Sequence, residues 1–199
     1  MKWIPILAIV MLSIWILLYP SPIILDRVIY QTNVFRPQEY TDLLNDTQTL
    51  RHQLRDMEDD NAFAKRQSVE IPSDSYAHRL FYGAPFLARL HTLLGMKLEP
   101  SALLPMEYRM YHTGGHMDWH RDVRITTRST PQIEMVYTLE NTSDSTTVWR
   151  DDTTLEVHPI STQPNSILIT QGDSVYHKVT PITKGYRSII KVAYDVLEN

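Results

Sequence analysis

The residues best suited to chemistry lie in one stretch, Tyr111-His112-Thr113-Gly114-Gly115-His116-Met117-Asp118-Trp119-His120-Arg121-Asp122, answered far downstream by His177 and Arg187. In an extended segment residues i and i+2 point to one face, so His120 and Asp122 can bring an imidazole and a carboxylate to one ion. A second imidazole supplied by the fold would complete a set of two His and one carboxylate. Such a set suits ferrous iron and leaves coordination positions open for other ligands. His116 and Asp118 form a second, overlapping His-x-Asp pair with the same alternation. Gly114-Gly115 permits backbone conformations in which a Cβ would clash.

The elements that must position these groups are mostly strands. After Pro100 the chain is built of short runs rich in Val, Ile, Thr and Tyr: Met106–Tyr111, Gln132–Leu139, Thr146–Trp149, Thr154–Val157, Ser166–Thr170, Ser174–Val179 and Arg187–Tyr194. Clusters of Pro, Gly, Asn, Asp and Ser separate them. Close spacing of short strands implies a sandwich or barrel, and the lack of helices between them argues against a doubly wound sheet. Before Pro100 the pattern is helical. Tyr40, Leu43, Leu44, Leu50, Leu54 and Met57 recur at helical spacing from Pro37, which suits a first turn. A second helix is predicted from Ala84 or Pro85 to Leu94, with Phe86, Leu90, Leu93 and Leu94 as its buried stripe and Gly95 as its stop. The expected fold is mainly β with supporting helices, a double-stranded β-helix (jelly roll) packed by N-terminal helices.

One transmembrane helix is expected to precede it. Trp3 to Leu25 carry no charge, and a membrane span needs about 20 apolar residues. Trp3, Trp15 and Tyr19 suit the interfaces. The apolar run is longer than the ~7–15 residues of a signal-peptide core, and no A-x-A-like cleavage site follows. Lys2 before the span, with Asp26 and Arg27 after it, places the N-terminus in the cytosol and the domain on the lumenal or external side. The expected organisation is a membrane anchor over 1–25, a juxtamembrane connector over 26–35, and one domain over 36–199. Within that domain, 36–100 provides helical support and 101–199 the jelly-roll core.

Composition narrows the function classes. Net charge is −4 and no block of Lys and Arg stands out, whereas nucleic-acid binders present a basic patch. The chain has no Cys, which excludes disulfides, thiolate zinc sites, Fe–S clusters and Cys nucleophiles.

The ordered set Tyr111, Gly114-Gly115, His120-x-Asp122, His177 and Arg187 resembles the Fe(II)- and 2-oxoglutarate-dependent dioxygenases, most closely the prolyl 4-hydroxylase-like branch. The resemblance covers roughly residues 106–194, and Thr147-Val148-Trp149 looks like a Thr-x-aromatic strand of that family. It implies that His120, Asp122 and His177 hold Fe(II), and that Tyr111, Thr147 and Arg187 bind 2-oxoglutarate. The chemistry is consistent. A planar guanidinium grips a carboxylate with two hydrogen bonds, and the two hydroxyls can each donate to a carboxylate oxygen. Only the His120/Asp122 register matches the family, which leaves His116 and Asp118 at the site mouth or in solvent. His112 and His158 read as ordinary surface or turn residues.

The reaction implied is hydroxylation of a peptidyl residue, proline in the nearest branch. O2 and 2-oxoglutarate are consumed, succinate and CO2 are released, and ascorbate serves as an auxiliary reductant. Collagen-type relatives carry Lys where this chain has Arg187, which weakens a collagen-like substrate. The nucleic-acid demethylases of the same fold have a further Arg beyond the anchor, absent from Ser188-Ile189-Ile190-Lys191-Val192. The polar segments 59–82 and 124–131 are the expected substrate-binding loops. The alternative reading is a non-catalytic, membrane-tethered jelly-roll module with a relict metal pocket.

Overall fold

The computed structural model describes residues 23–25, 28–59 and 64–198. In chain order its elements are β1 (Ile23–Leu25), β2 (Val28–Thr32), α1 (Pro37–Gln48), β3 (Arg55–Asp59), β4 (Ala64–Glu70), α2 (Tyr76–Tyr82), α3 (Ala84–Leu94) and β5 (Leu98–Pro100). Then follow β6 (Glu107–Tyr111), β7 (Met117–His120), β8 (Gln132–Asn141), β9 (Thr147–Arg150), β10 (Val157–Ile160), β11 (Ser166–Gln171), β12 (Tyr176–Val179) and β13 (Arg187–Val196). Two antiparallel sheets result. The larger runs β1-β2-β11-β8-β13-β6-β4-β3, with β5 also on β13, and the smaller runs β10-β9-β12-β7.

The larger sheet is buried on both faces, and alternation along each strand sorts its side chains. One face packs Tyr108, Met110, Met135, Tyr137, Leu139, Ile190, Val192 and Tyr194 against Leu43, Phe81, Phe86 and Leu90 of the helices. The other face meets the smaller sheet through Tyr111, Ile189, Met117 and Val179, and through Tyr30, Leu168, Trp149 and Val175. Phe35 fastens the helical layer, its ring lying 5.3 Å from Phe81, 5.4 Å from Phe86 and 5.3 Å from Tyr137. Each such aromatic pair adds about 0.5–1.5 kcal/mol beyond the burial of its area. Asp46 of α1 ties the helices together by accepting from the backbone N–H groups of Tyr76 and Ala77 at 3.2 and 2.9 Å.

The jelly roll with supporting helices is as expected, but its boundaries differ. The first helix stops at Gln48 instead of continuing toward Met57, and a 3₁₀ turn (Arg51–Gln53) leads into β3. Past Gln48, Leu50 is buried and Leu54 packs on the core, but they do so from the 3₁₀ turn and its end, and Met57 at the end of the expected stripe is 41% exposed. Sheet pairing takes over there, because β3 pairs with β4 and β4 with β6. Among the described residues, the segment 59–82 is therefore largely β4 and α2, not an irregular loop. The run Thr154–Val157 begins as a turn: Asp151 Oδ1 accepts from Thr153 N and Thr154 N, and Leu155 has φ +62°. The strand starts only at Val157.

Strands β2 to β5 come from before residue 101, so the sheets are not confined to 101–199. The expected connector over 26–35 contains β2, which pairs with β1 and β11. Of the expected membrane anchor, residues 1–22 lie outside the described residues and Ile23–Leu25 form β1. Among the described residues no helix is long and apolar enough to cross a membrane.

Candidate metal centre and anion pocket

The site forms between the two sheets, where β6 passes through a tight turn into β7. Gly114 has φ +82°, a left-handed conformation that Gly adopts without strain. A Cβ on Gly115 would fall 2.8 Å from the His112 carbonyl oxygen and 3.1 Å from that of Lys65. The turn is pinned to the segment after β12, because Gly114 N donates to Ile182 O at 2.8 Å and Ile182 N donates to Gly115 O at 3.0 Å.

β7 then pairs with β12, with His120 opposite His177 and Met117 opposite Val179. One extra residue on β7 makes a β-bulge, which lets both Met117 and His120 face inward. Asp122 lies beyond the end of β7, its carbonyl oxygen accepting from Asp173 N at 2.9 Å. The three side chains meet: their ligand atoms lie within 4.8 Å of one another. His120 Nε2 is 3.9 Å from Asp122 Oδ1, His177 Nε2 is 3.7 Å from Oδ2, and the imidazole centres are 4.3 Å apart.

Hydrogen bonding prepares both rings for a cation. His120 Nδ1 faces Asp118 O at 2.7 Å and His177 Nδ1 faces Val175 O at 3.0 Å. A carbonyl can only accept, so each Nδ1 carries the proton, and in the neutral ring Nε2 holds the lone pair. His120 Nε2 is buried and has no hydrogen-bond partner. Burial disfavours the imidazolium of His120, and His177 beside it adds to this, so its pKa lies below the ordinary value. Burial by itself would raise the Asp122 carboxyl. The Lys191 ammonium and His177 outweigh it and hold Asp122 well below the ordinary carboxylate range. A lone pair without a donor, facing a carboxylate held ionised, fits a divalent metal ion.

Beside this centre lies a pocket for an anion. Arg187 stands opposite Tyr111 in the β13–β6 register, and both are 2% exposed. Its Nη1 donates to Thr147 Oγ1 at 2.9 Å, while its Nε is buried without a partner. Burial without a carboxylate pulls its pKa below the ordinary value. The Tyr111 hydroxyl has the thioether of Met117 as its contact, at 3.3 Å, a weak acceptor. All six residues expected at the site line one cavity of about 40 Å³, where a single water needs roughly 10–15 Å³.

The cavity also takes in two cations that the spacing argument did not single out, Arg109 and Lys191. Arg109 lies two residues before Tyr111 on β6, and its Nε donates to Glu107 Oε2 at 2.8 Å. Lys191 lies four residues after Arg187 on β13. Its Nζ is 2.8 Å from Asp122 Oδ1 and 3.2 Å from Glu134 Oε2. Strand alternation from Tyr111 and Arg187 was the signal that places both on the site face. The second His-x-Asp pair stays out of the cavity: His116 Nδ1 contacts Gly114 O at 2.9 Å, and Asp118 is exposed. His112 is exposed, and His158 stacks on Trp149 at 5.6 Å.

No family profile matches this chain, and no curated protein matches it in sequence. Solved structures do. It is similar to a prolyl-4-hydroxylase from Pseudomonas putida (TM-score 0.64, 13% identity, 87% of this chain and 94% of that one). It is similar to a prolyl hydroxylase from Trichoplax adhaerens in complex with a hypoxia inducible factor oxygen degradation domain peptide fragment (TM-score 0.68, 14% identity, 85% and 84%). A third is HygX from Streptomyces hygroscopicus with nickel, 2-oxoglutarate and hygromycin B bound (TM-score 0.60, 10% identity, 85% and 82%). At these identities the likeness is one of fold, and the fold is that of the prolyl-4-hydroxylases and related 2-oxoglutarate-binding proteins.

Proposed function

We propose that this chain is an Fe(II)- and 2-oxoglutarate-dependent dioxygenase that hydroxylates a peptidyl residue, proline in the first instance. One observation carries the reading: an unpartnered imidazole nitrogen, a second imidazole and an ionised carboxylate converge beside a buried arginine that lacks a counter-ion. His120, Asp122 and His177 would hold the iron. Iron held there would supply the chemistry of O2 activation coupled to decarboxylation of the 2-oxo acid, with oxidation of a substrate C–H to C–OH.

The chain's own residues do the positioning. The Nδ1–H bonds to Asp118 and Val175 orient the two rings. Arg187 takes the far carboxylate of 2-oxoglutarate through its unused N–H groups, with the Thr147 and Tyr111 hydroxyls donating to the same group. Met117, Val136, Leu168, Val179 and Ile189 line the cavity and keep water from this ion pair, which strengthens it.

A peptide substrate is supported by the peptide complex of the Trichoplax adhaerens neighbour. It is also supported by Val123 and Ile125, 71% and 43% exposed just beyond Asp122, where a bound segment gains apolar contact. The apolar segment 3–22, ahead of β1, would tether the enzyme to a membrane, with the domain on the lumenal or external side.

The test is succinate release from 2-oxoglutarate with Fe(II) and ascorbate, with and without a proline-rich peptide pool, beside Asp122→Ala. Fe(II)-dependent succinate in the wild type alone, stimulated by peptide, is the expected result. A chain that binds metal and 2-oxoglutarate but yields no succinate with any peptide is the relict-pocket module instead.

A further inference from the structure

Lys191 is a charged group at the centre that neither the ligand triad nor the grip on a 2-oxo acid calls for. It enters from the larger sheet, on the same face of β13 as Arg187 and Ile189. Its ammonium reaches Asp122 Oδ1 at 2.8 Å and Glu134 Oε2 at 3.2 Å, with 16% of the side chain exposed. It bonds one oxygen of Asp122 and leaves the other, Oδ2, toward His177 Nε2. Arg109 also faces the cavity but is paired with Glu107.

We propose that Lys191 is a resident counter-cation that makes metal binding at His120, Asp122 and His177 depend on the arrival of a dianionic 2-oxo acid. The inference rests on the metal-site reading above and assigns that site a binding order. Without metal, the ammonium neutralises Asp122, so the carboxylate is compensated and the three ligands stand assembled. A divalent ion that enters must share Asp122 with a cation already bound to it, and the two positive centres repel across a water-poor cavity. With the ion in place beside Lys191 and the unpaired Arg187, positive charge exceeds negative. A dianion cancels that excess, so ion and 2-oxo acid each strengthen the other's binding.

The experiment is titration of the full chain with Mn(II), read by the free-ion spin resonance signal, with and without 2-oxoglutarate. Wild type, Lys191→Met, the charge-keeping Lys191→Arg and the double variant Lys191→Met/Glu134→Gln are compared. The double variant removes the other carboxylate that Lys191 pairs with, so a neutral site is tested even if Lys191→Met alone fails to fold. In the wild type, 2-oxoglutarate is expected to tighten Mn(II) by at least about tenfold, within the usual range of site–site coupling. The neutral variants are expected to bind Mn(II) alone about tenfold more tightly and to lose most of that coupling, while Lys191→Arg keeps it. Folded neutral variants with unchanged Mn(II) affinity and unchanged coupling overturn the role of Lys191 and leave the metal site standing. A wild type that binds no Mn(II) under either condition overturns the site itself.

Discussion

Replacing Arg187 with Met should move stability and binding in opposite directions. Arg187 is 2% exposed, and its hydrogen bond to Thr147 is the one its side chain makes among the described residues. Its Nε is buried and unsatisfied. An unsatisfied buried polar group costs about 1–3 kcal/mol, more when charged, and an unpaired buried ion costs several. Methionine fills much of the same length and can adapt to the gap, so it removes that penalty while losing one bond to Thr147. The ligand-free protein is expected to gain about 1–2 kcal/mol, a rise in Tm of roughly 2–8 °C for a domain of this size. Affinity for 2-oxoglutarate should meanwhile fall by about 10- to 150-fold, the equivalent of a charge-assisted pair worth roughly 1.5–3 kcal/mol. Thermal unfolding without ligand and a 2-oxoglutarate titration in Mn(II) measure the two effects. A destabilised variant with unchanged 2-oxoglutarate affinity would falsify the reasoning, because the guanidinium would then be serving the fold.

Three more expectations can be checked. Because the folded pKa of His120 lies below its ordinary 6.5, the unfolded chain takes up that proton first. Stability of the metal-free protein should be full above about pH 6.5 and decline as pH falls through it. Urea midpoints between pH 7.5 and 5 should show that slope, and His120→Asn should flatten it. Gly115→Ala places a Cβ 2.8 Å and 3.1 Å from two backbone oxygens, which cannot swing away as a side chain could. About 1–3 kcal/mol of stability should be lost, together with metal affinity, since that turn delivers His120; a fully stable variant would mean the turn relaxes at no cost. If the segment 3–22 anchors the chain, alkaline extraction should leave it in the membrane fraction and deletion of that segment should release it. Release of the undeleted chain at alkaline pH would rule out a span.

The sequence by itself paired an imidazole with a carboxylate at His120 and Asp122, through type and spacing. His177, Arg187, Tyr111 and Thr147 entered as what the resemblance implies, and the fold brings all six to one cavity. The long inner strands β8 and β13 were equally plain, since both are rich in Ile, Val and Tyr and bounded by turn residues. Helix α3 carried its own stripe and its Gly95 stop.

Only the tertiary structure decided the remainder. β3 and β4 are held by pairing with neighbours, and a polar edge segment leaves no local pattern for that. Seven-residue α2 is too short for its period to emerge; Ser75 caps its start locally, and Asp46 of α1 adds bonds from its first two backbone N–H groups. Alternation alone could not bring Asp122 to the imidazoles, because β7 ends at His120 and a bulge sets the inward turn. Which buried charges face one another was the least readable of all. Lys191 meets Asp122 only because β13 lies across from the end of β7, and a charge pair formed between two sheets has no signature within either strand.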